Sequence, residues 1–279
     1  VERSDKILQL SNYSFDGSVF DIYGALLNGA SLVMIDTYSL LDIGVLLGII
    51  SRKQVSIFFL TTALFNTIVD FGMDLLKDVR RILFGGEQIS KQHTTWALSH
   101  LGSGRLIHVY GPTETTVFAS YYNIDGVDDD RESIPIGRPI SNTTIYLLDR
   151  GRRLTPKGVV GEVYIGGAGN SIGYLNGVEL TSERFVRNPY RTDELLYKTG
   201  DLGRMLPNGD IEFSGRIDHQ VKIRGFRVEL GEIENALLGY ESIKEAVVIA
   251  SGENQEKMLI AYIVCKEDFR EGALRSHLA

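Results

Sequence analysis

The sequence predicts an α/β protein: a layered α/β region, a β-rich subdomain over roughly residues 135–217, and a smaller α+β region over residues 218–279. Three observations carry this. Up to residue 110, short apolar runs alternate with segments whose apolar residues recur at helical spacing. Between residues 135 and 213, closely spaced strand patterns are separated by Gly, Pro and Asn turns. The chain has 279 residues, 43% of them hydrophobic, enough for one large core and part of another.

In chain order, a helix is expected over residues 19–27, and strands at 31–35, 55–60, 81–84 and 105–109. Helices at 40–52, 62–71 and 90–101 lie between them, an alternation that places helices against a sheet. The greasy run 40–50 is broken by Asp42 and followed by Arg52 and Lys53. It is too short to span a bilayer and is expected as a buried helix. The β-rich part is expected to hold strands at 144–148, 162–165 and 210–213. A hairpin around 222–226, a helix at 231–238, strands at 246–250 and 259–264 and a final helical stretch complete the chain.

The net charge of -7 is spread along the sequence, with one acidic cluster at residues 128–130 expected as a solvated loop tip. No basic tract suggests nucleic acid, and no segment suggests a membrane. Cys265 is the only cysteine, which excludes an internal disulfide and a cysteine-based zinc cluster, suits a reducing cytoplasm, and is expected as a small buried apolar residue. Beginning at Val1 and ending inside a helical pattern at Ala279, the chain reads as a piece of a longer protein.

The most informative stretch is residues 109–116, Val-Tyr-Gly-Pro-Thr-Glu-Thr-Thr. Gly111 and Pro112 call for a tight loop leaving the strand at 105–109. Tyr110 offers a ring to a base, Thr113 a hydroxyl to a phosphate, and Glu114 the hard anionic oxygen preferred by a phosphate-bound magnesium. A plain surface turn is the competing explanation. Three further blocks follow in order: GEVYIGG at 161–167, YKTGDL at 197–202 and GRIDHQVKIRG at 215–225.

With YGPTE, these blocks resemble the core motifs of adenylate-forming enzymes, in particular the amino-acid-activating adenylation domains of nonribosomal peptide synthetases. The resemblance runs over nearly the whole chain. It implies the adenylate-forming enzyme fold, with residues 1–217 as a large domain lacking its amino-terminal part and 218–279 as the truncated beginning of a small mobile domain. It further implies ATP, Mg2+ and a carrier-bound phosphopantetheine as cofactors, an amino acid as substrate, and carrier and condensation domains of one synthetase, serving secondary metabolism, as partners.

By that resemblance Tyr110 stacks on adenine, Thr113 contacts the α-phosphate and Glu114 binds magnesium, with Gly86 and Gly111 beside the nucleotide. Asp201 accepts from the ribose hydroxyls, for which a carboxylate is suited. Arg216 lies near ribose and phosphate, where a planar guanidinium gives directed charge; a surface ion pair is its alternative. Asp218 matches the hinge of the small domain, against an ordinary turn aspartate. Lys222, with Arg224 and Arg227, matches the hairpin that enters the site for thioester formation, although solvated surface charge explains each of the three equally well. One departure is His108, where many relatives carry Asn.

Asp16, in the Phe-Asp-Gly-Ser run at 15–18, matches the family aspartate that pairs with a substrate's α-ammonium group; a helix N-cap is its rival. The implied pocket comprises Asp16, Gly17, Phe20, Phe59, Leu83, Gly85, Val109, Val117 and Phe118. Eight of the nine are apolar, which disfavours charged or hydrogen-bonding side chains, and three phenylalanines leave too little volume for Trp or Tyr. The set resembles pockets for isoleucine, with valine and leucine as neighbours.

Two family features are absent from these residues: the phosphate loop expected before Asp16 and the lysine near the end of the small domain. The resemblance therefore implies a partial chain, weak or inactive alone. An acyl- or aryl-CoA ligase of the same superfamily is the alternative enzyme, and a non-catalytic nucleotide-binding remnant the alternative of another class.

Overall fold

The computed structural model describes residues 1–36, 38–128, 131, 133–217, 221–223, 226–228, 230–252, 258–266 and 271–278. They fall into two compact units, Val1–Ile217 and Asp218–Ala279.

The first unit opens with β1 (Lys6–Gln9), α1 (Gly17–Leu26), β2 (Ser31–Met34), α2 (Ile43–Lys53), β3 (Ile57–Thr61), α3 (Thr62–Phe71), β4 (Arg81–Gly85), α4 (Lys91–Leu101), β5 (Leu106–Tyr110), β6 (Ser120–Ile124) and β7 (Arg138–Pro139). These strands form one sheet in the order β2-β1-β3-β4-β5-β6-β7. The first five are parallel, and β6 and β7 join antiparallel.

Both faces of β3, β4 and β5 are covered, which is why these strands read as continuous apolar runs. Leu8, Phe58, Ile82 and Phe84 point to one face and pack on Leu46 and Ile50 of α2, Phe65 and Ile68 of α3 and Ala97 of α4. Phe65 and Phe84 stack there with centroids 3.9 Å apart. Their chain neighbours Ile7, Ile57 and Leu83 point to the other face, where Ala25 of α1 and Phe20 meet them.

Local chemistry sets the helix ends. Asp42 accepts from the Val45 amide at 3.0 Å, so α2 starts at Ile43 and residues 38–40 form a 3-10 turn instead of the expected helix start. Thr61 and Ser90 cap α3 and α4 in the same way. The strand β1 escapes sequence patterning because only Ile7 and Leu8 of its four residues are buried. It is anchored at its start by Asp5, which accepts from Ser56 at 2.7 Å and pairs with Arg80.

The β-rich part holds β8 (Thr143–Leu148), β9 (Val160–Gly167), α5 (Val178–Arg184), β10 (Phe185–Arg187), β11 (Leu195–Met205) and β12 (Ile211–Arg216). It is an antiparallel sheet in the order β10-β11-β9-β8, with β12 also pairing β11. Its core of Leu147, Val163, Ile165 and Ile211 continues through Ile136 to Tyr110 and Ala119 of the first sheet's end. The register of β11 on β9 shifts between Lys198 and Leu202, where Gly200 has φ +76°, and Asp201 lies within that irregularity.

In the second unit, β13 (Val221–Ile223) and β14 (Phe226–Val228) pair as a hairpin, followed by α6 (Leu230–Leu238), the antiparallel pair β15 (Ile243–Ser251) and β16 (Met258–Cys265), and α7 (Glu271–Leu278). Leu237, Ile243, Val248 and Leu274 form its core. Cys265 is half-buried, not buried as expected, because it closes β16 opposite Ile243 at the sheet's end. In the acidic cluster, Asp128 pairs with Arg131 at 2.9 Å, while Asp129 and Asp130 lie outside the described residues. Among the described residues no helix is long and apolar enough to cross a membrane.

Candidate functional site

The chain leaves β5 at Tyr110 and folds back on itself within nine residues, the Ala119 amide donating to the Tyr110 carbonyl at 2.8 Å. That closeness requires Gly111, because a Cβ there would lie 2.4 Å from the Val117 carbonyl oxygen. Residues 113–115 make one 3-10 turn, and Thr116 and Val117 then take φ of +63° and +65°. Two consecutive β-branched residues in the left-handed region cost about 1–3 kcal/mol each, and such strain gathers at functional sites. On this turn Thr113 is exposed and Glu114 is buried.

Residues that follow β9 fasten this turn. Thr116 Oγ1 donates to the Gly169 carbonyl at 2.7 Å, and the Ser171 amide donates to the Glu114 carbonyl at 2.8 Å. The Tyr174 hydroxyl donates to Glu114 Oε1 at 2.6 Å and lies 3.4 Å from the Tyr197 hydroxyl. Burial, and then the Glu114 carboxylate, push the Tyr174 hydroxyl far above the usual tyrosine range, so it remains protonated and donates. Tyr174 was not among the residues expected from sequence; its only signal was a tyrosine in a Gly- and Asn-rich loop after the GEVYIGG block.

Three residues from three separate motifs meet beside the turn. Tyr110 Oη donates to Asp201 Oδ2 at 2.6 Å, and Arg216 Nη1 donates to Asp201 Oδ1 at 2.5 Å. Arg216 Nη2 also donates to the Thr199 carbonyl at 3.2 Å, and Thr199 Oγ1 accepts from the Asp201 amide at 2.9 Å. Asp201 and Arg216 are both largely buried, so this is a charge-assisted contact away from bulk water. Burial above all, then the Asp201 charge, raise the Tyr110 hydroxyl well above its ordinary value. Gly86 follows β4 with φ +94°. His108, buried in β5, has Nδ1 2.7 Å from the Pro135 carbonyl, so Nδ1 carries the proton.

The predicted pocket residues gather on the α1 face of the sheet. Phe20, Phe59, Leu83, Val109 and Phe118 belong to one apolar cluster. Phe118 stands between Phe20 and Phe59, at centroid distances of 5.3 and 5.1 Å. A Cβ on Gly17 would lie 3.0 Å from Phe59 and one on Gly85 2.0 Å from the Val109 carbonyl oxygen, so both glycines permit close approach. Val117 is buried on the adjoining turn. Asp16, half-buried just before α1, makes no side-chain capping bond, which removes the physical basis of the N-cap explanation.

Asp21, one helical turn beyond Gly17 and fully buried, was also missed from sequence. Its Oδ2 accepts from the Leu10 and Ser11 amides at 3.1 and 2.8 Å, whereas Oδ1 has no partner. Burial pushes its carboxyl up to about 6. The expected hinge, Asp218, lies outside the described residues. Lys222 is opposite Arg227 in the hairpin of the second unit, and its side chain too is outside them.

Among the described residues no group of three or more His, Cys, Asp or Glu could hold a metal. A cation at Glu114 would be of the kind that keeps phosphate oxygens and water among its ligands, the coordination habit of Mg2+.

A mostly parallel sheet with an acidic turn and a Tyr-Asp-Arg cluster beside the end of β5 places the site where open α/β proteins hold their ligands, outside the carboxyl ends of the strands. The family model described as AMP-binding enzyme matches residues 1–175, and the chain belongs to that family. It is 53% identical over 279 residues to bacitracin synthase 1 of Bacillus licheniformis, covering all of this chain and 5% of that protein. To surfactin synthase subunit 1 of Bacillus subtilis (strain 168) it is 48% identical over 280 residues, covering all of this chain and 8% of that protein. The chain thus spans a small part of these relatives.

Among solved structures it is similar to NpsA-ThdA, an artificially fused adenylation-PCP di-domain NRPS from Klebsiella oxytoca, with TM-score 0.89 and 27% identity over 100% of this chain and 52% of that one. It is likewise similar to holo-PA1221, an NRPS protein containing adenylation and PCP domains, with TM-score 0.88 and 34% identity over 98% and 48%. The adenylation-domain fold expected from the motifs is thereby established, and over nearly its whole length this chain is similar to adenylation domains of nonribosomal peptide synthetases.

Proposed function

We propose that the protein carrying this chain uses ATP to activate a branched aliphatic amino acid, isoleucine first and valine or leucine next, as its aminoacyl-AMP. The product then passes to the phosphopantetheine thiol of a carrier domain. The observation that carries the reading is the convergence of Tyr110, Asp201 and Arg216 beside the Glu114 turn, with Val109 and Val117 leading from that turn to the Phe20-Phe59-Phe118 cluster.

In this reading, Asp201 receives the ribose hydroxyls on a carboxylate already oriented by Tyr110 and Arg216. Thr113, exposed on the turn, donates to the α-phosphate, and Glu114 holds the magnesium that accompanies ATP. When bound, the metal neutralises phosphate charge that builds up as pyrophosphate leaves. Tyr110 offers its ring and Gly86 and Gly111 their backbone to the adenine side. Arg216 supplies directed positive charge close to the reacting phosphate. Asp16 pairs with the substrate ammonium, and the three phenylalanines exclude polar and bulky side chains.

Asp218 as hinge and Lys222 as a residue of the thioester step complete the proposed cycle. The carrier partner is supported by the PCP domains of NpsA-ThdA and PA1221; a condensation domain and a cytoplasmic setting are proposed with it.

The test is amino-acid-dependent pyrophosphate exchange by the full-length protein carrying this chain, across all proteinogenic amino acids. Isoleucine, valine and leucine are expected to lead, and Asp16→Ala to depress exchange for every amino acid alike. Preference for a charged or aromatic amino acid, or for an acid without an amino group, refutes the reading.

A further inference from the structure

Two stretches far apart in the chain, residues 114–116 and 169–174, are joined by three hydrogen bonds, and only one of these ends on a side chain of the proposed site. That bond is from the Tyr174 hydroxyl to Glu114 Oε1, 2.6 Å long across 60 residues of sequence. We propose that Tyr174 is a positioning residue for Glu114: its hydroxyl holds the carboxylate in the orientation from which it receives the magnesium carried by ATP. The proposal rests on the reading of Glu114 as the metal-binding carboxylate.

The tyrosine is itself held. Its amide donates to Thr181 Oγ1 at 2.9 Å, which ties the loop to α5, and its ring meets Phe185 edge-on at 5.8 Å. Phe185 in turn lies 5.1 Å from the fully buried ring of Tyr197, whose hydroxyl is 3.4 Å from that of Tyr174. Gly173 has φ +138°, and a Cβ there would lie 2.5 Å from Thr181, so the backbone entering Tyr174 is tightly seated. A hydroxyl presented from such a frame restricts a glutamate that otherwise has three rotatable bonds.

The hydroxyl is not needed to close the loop. The Thr116–Gly169 and Ser171–Glu114 bonds, one ending on a backbone carbonyl and the other running between backbone groups, already join the two stretches. A carboxylate accepts and does not donate, so the Tyr174 hydroxyl spends its proton on Glu114. The effect of removing it should therefore fall on what Glu114 does. Removing the partner that orients a metal ligand lowers metal affinity about 10- to 100-fold.

The experiment uses the full-length protein and measures ATP binding by titration calorimetry without amino acid, once with Mg2+ and once with EDTA. The variants are Tyr174→Phe, Glu114→Gln and both together. Tyr174→Phe is expected to cut the affinity gained from Mg2+ about tenfold or more while leaving binding in EDTA unchanged. Glu114→Gln is expected to remove the same gain, and the double variant to lose nothing further.

A full Mg2+ gain in Tyr174→Phe, alongside a lost gain in Glu114→Gln, overturns the positioning role alone. A full gain in Glu114→Gln overturns the metal reading of Glu114 and the proposal with it. Equal losses with Mg2+ and with EDTA in Tyr174→Phe mark a purely structural role and also overturn it. Tyr174→Met, which fills the space without a hydroxyl, replaces Tyr174→Phe if that variant does not fold, with the same outcomes decisive.

Discussion

Asp21 offers a test of how burial acts on a carboxylate in α1. It is fully buried on α1, with two amide donors on Oδ2 and no partner on Oδ1. Burial outweighs the Ser11 and Leu10 amides and the Ser11 hydroxyl, and raises its carboxyl from 3.8 to about 6. The folded state thus holds this proton more tightly than the unfolded chain does. Asp21 disfavours folding least below pH 3.8; the penalty grows as the pH rises through the window from 3.8 to about 6 and is fully present above it. The gap corresponds to about 3 kcal/mol, as an upper figure.

Asp21→Asn removes the titration while keeping a carbonyl oxygen for the Leu10 and Ser11 amides. Its amide group enters the position of the unpartnered oxygen, a cost that does not vary with pH. Urea unfolding followed by fluorescence of Trp96, the only tryptophan and a residue of α4 in the first unit, reports on the right part of the molecule. The stability of the variant relative to the native chain should rise by at most about 2.4 kcal/mol between pH 4 and pH 7.5, most of it before pH 6.5. Parallel stability profiles for the two proteins would show that Asp21 is not a desolvated carboxylate and would refute the reasoning.

Gly85→Ala would put a Cβ 2.0 Å from the Val109 carbonyl oxygen, so β4 and β5 must separate; denaturant unfolding should show a loss of about 3 kcal/mol or more, and a loss under about 1 kcal/mol contradicts the packing described. Phe59→Ala removes the edge contact with Phe118 and enlarges the apolar end of the proposed pocket. In pyrophosphate exchange the ratio of phenylalanine to isoleucine should rise about tenfold or more while ATP dependence is unchanged; an unaltered ratio removes Phe59 from the pocket wall.

Much of the fold could be read locally. The helix at Thr62–Phe71 falls where its spacing put it, and the strands at 81–85 and 106–110 lie within one residue of the expected ends. Both faces of these strands are buried, so their apolar runs are unambiguous. Where a side-chain cap governed the boundary, as at Asp42, periodicity alone placed the helix start too early. The eleven-residue strand β11 went unrecognised because its central Lys-Thr-Gly-Asp interrupts any strand pattern, and its pairing depends on a register shift at those residues.

What the sequence determined by itself was the alternation of elements, the tight turn at Gly111-Pro112 and, through four ordered motifs, the family. These are properties of residues close together in the chain, where backbone sterics and spacing act without knowledge of the rest. Only the tertiary structure decided that Tyr110 reaches Asp201 across 91 residues, that Tyr174 reaches Glu114 across 60, and that Asp21 loses its water. A hydrogen bond between distant segments, and the desolvation of a carboxylate, exist only once two sheets and a helix have packed, and no local preference encodes which polar groups will then face one another.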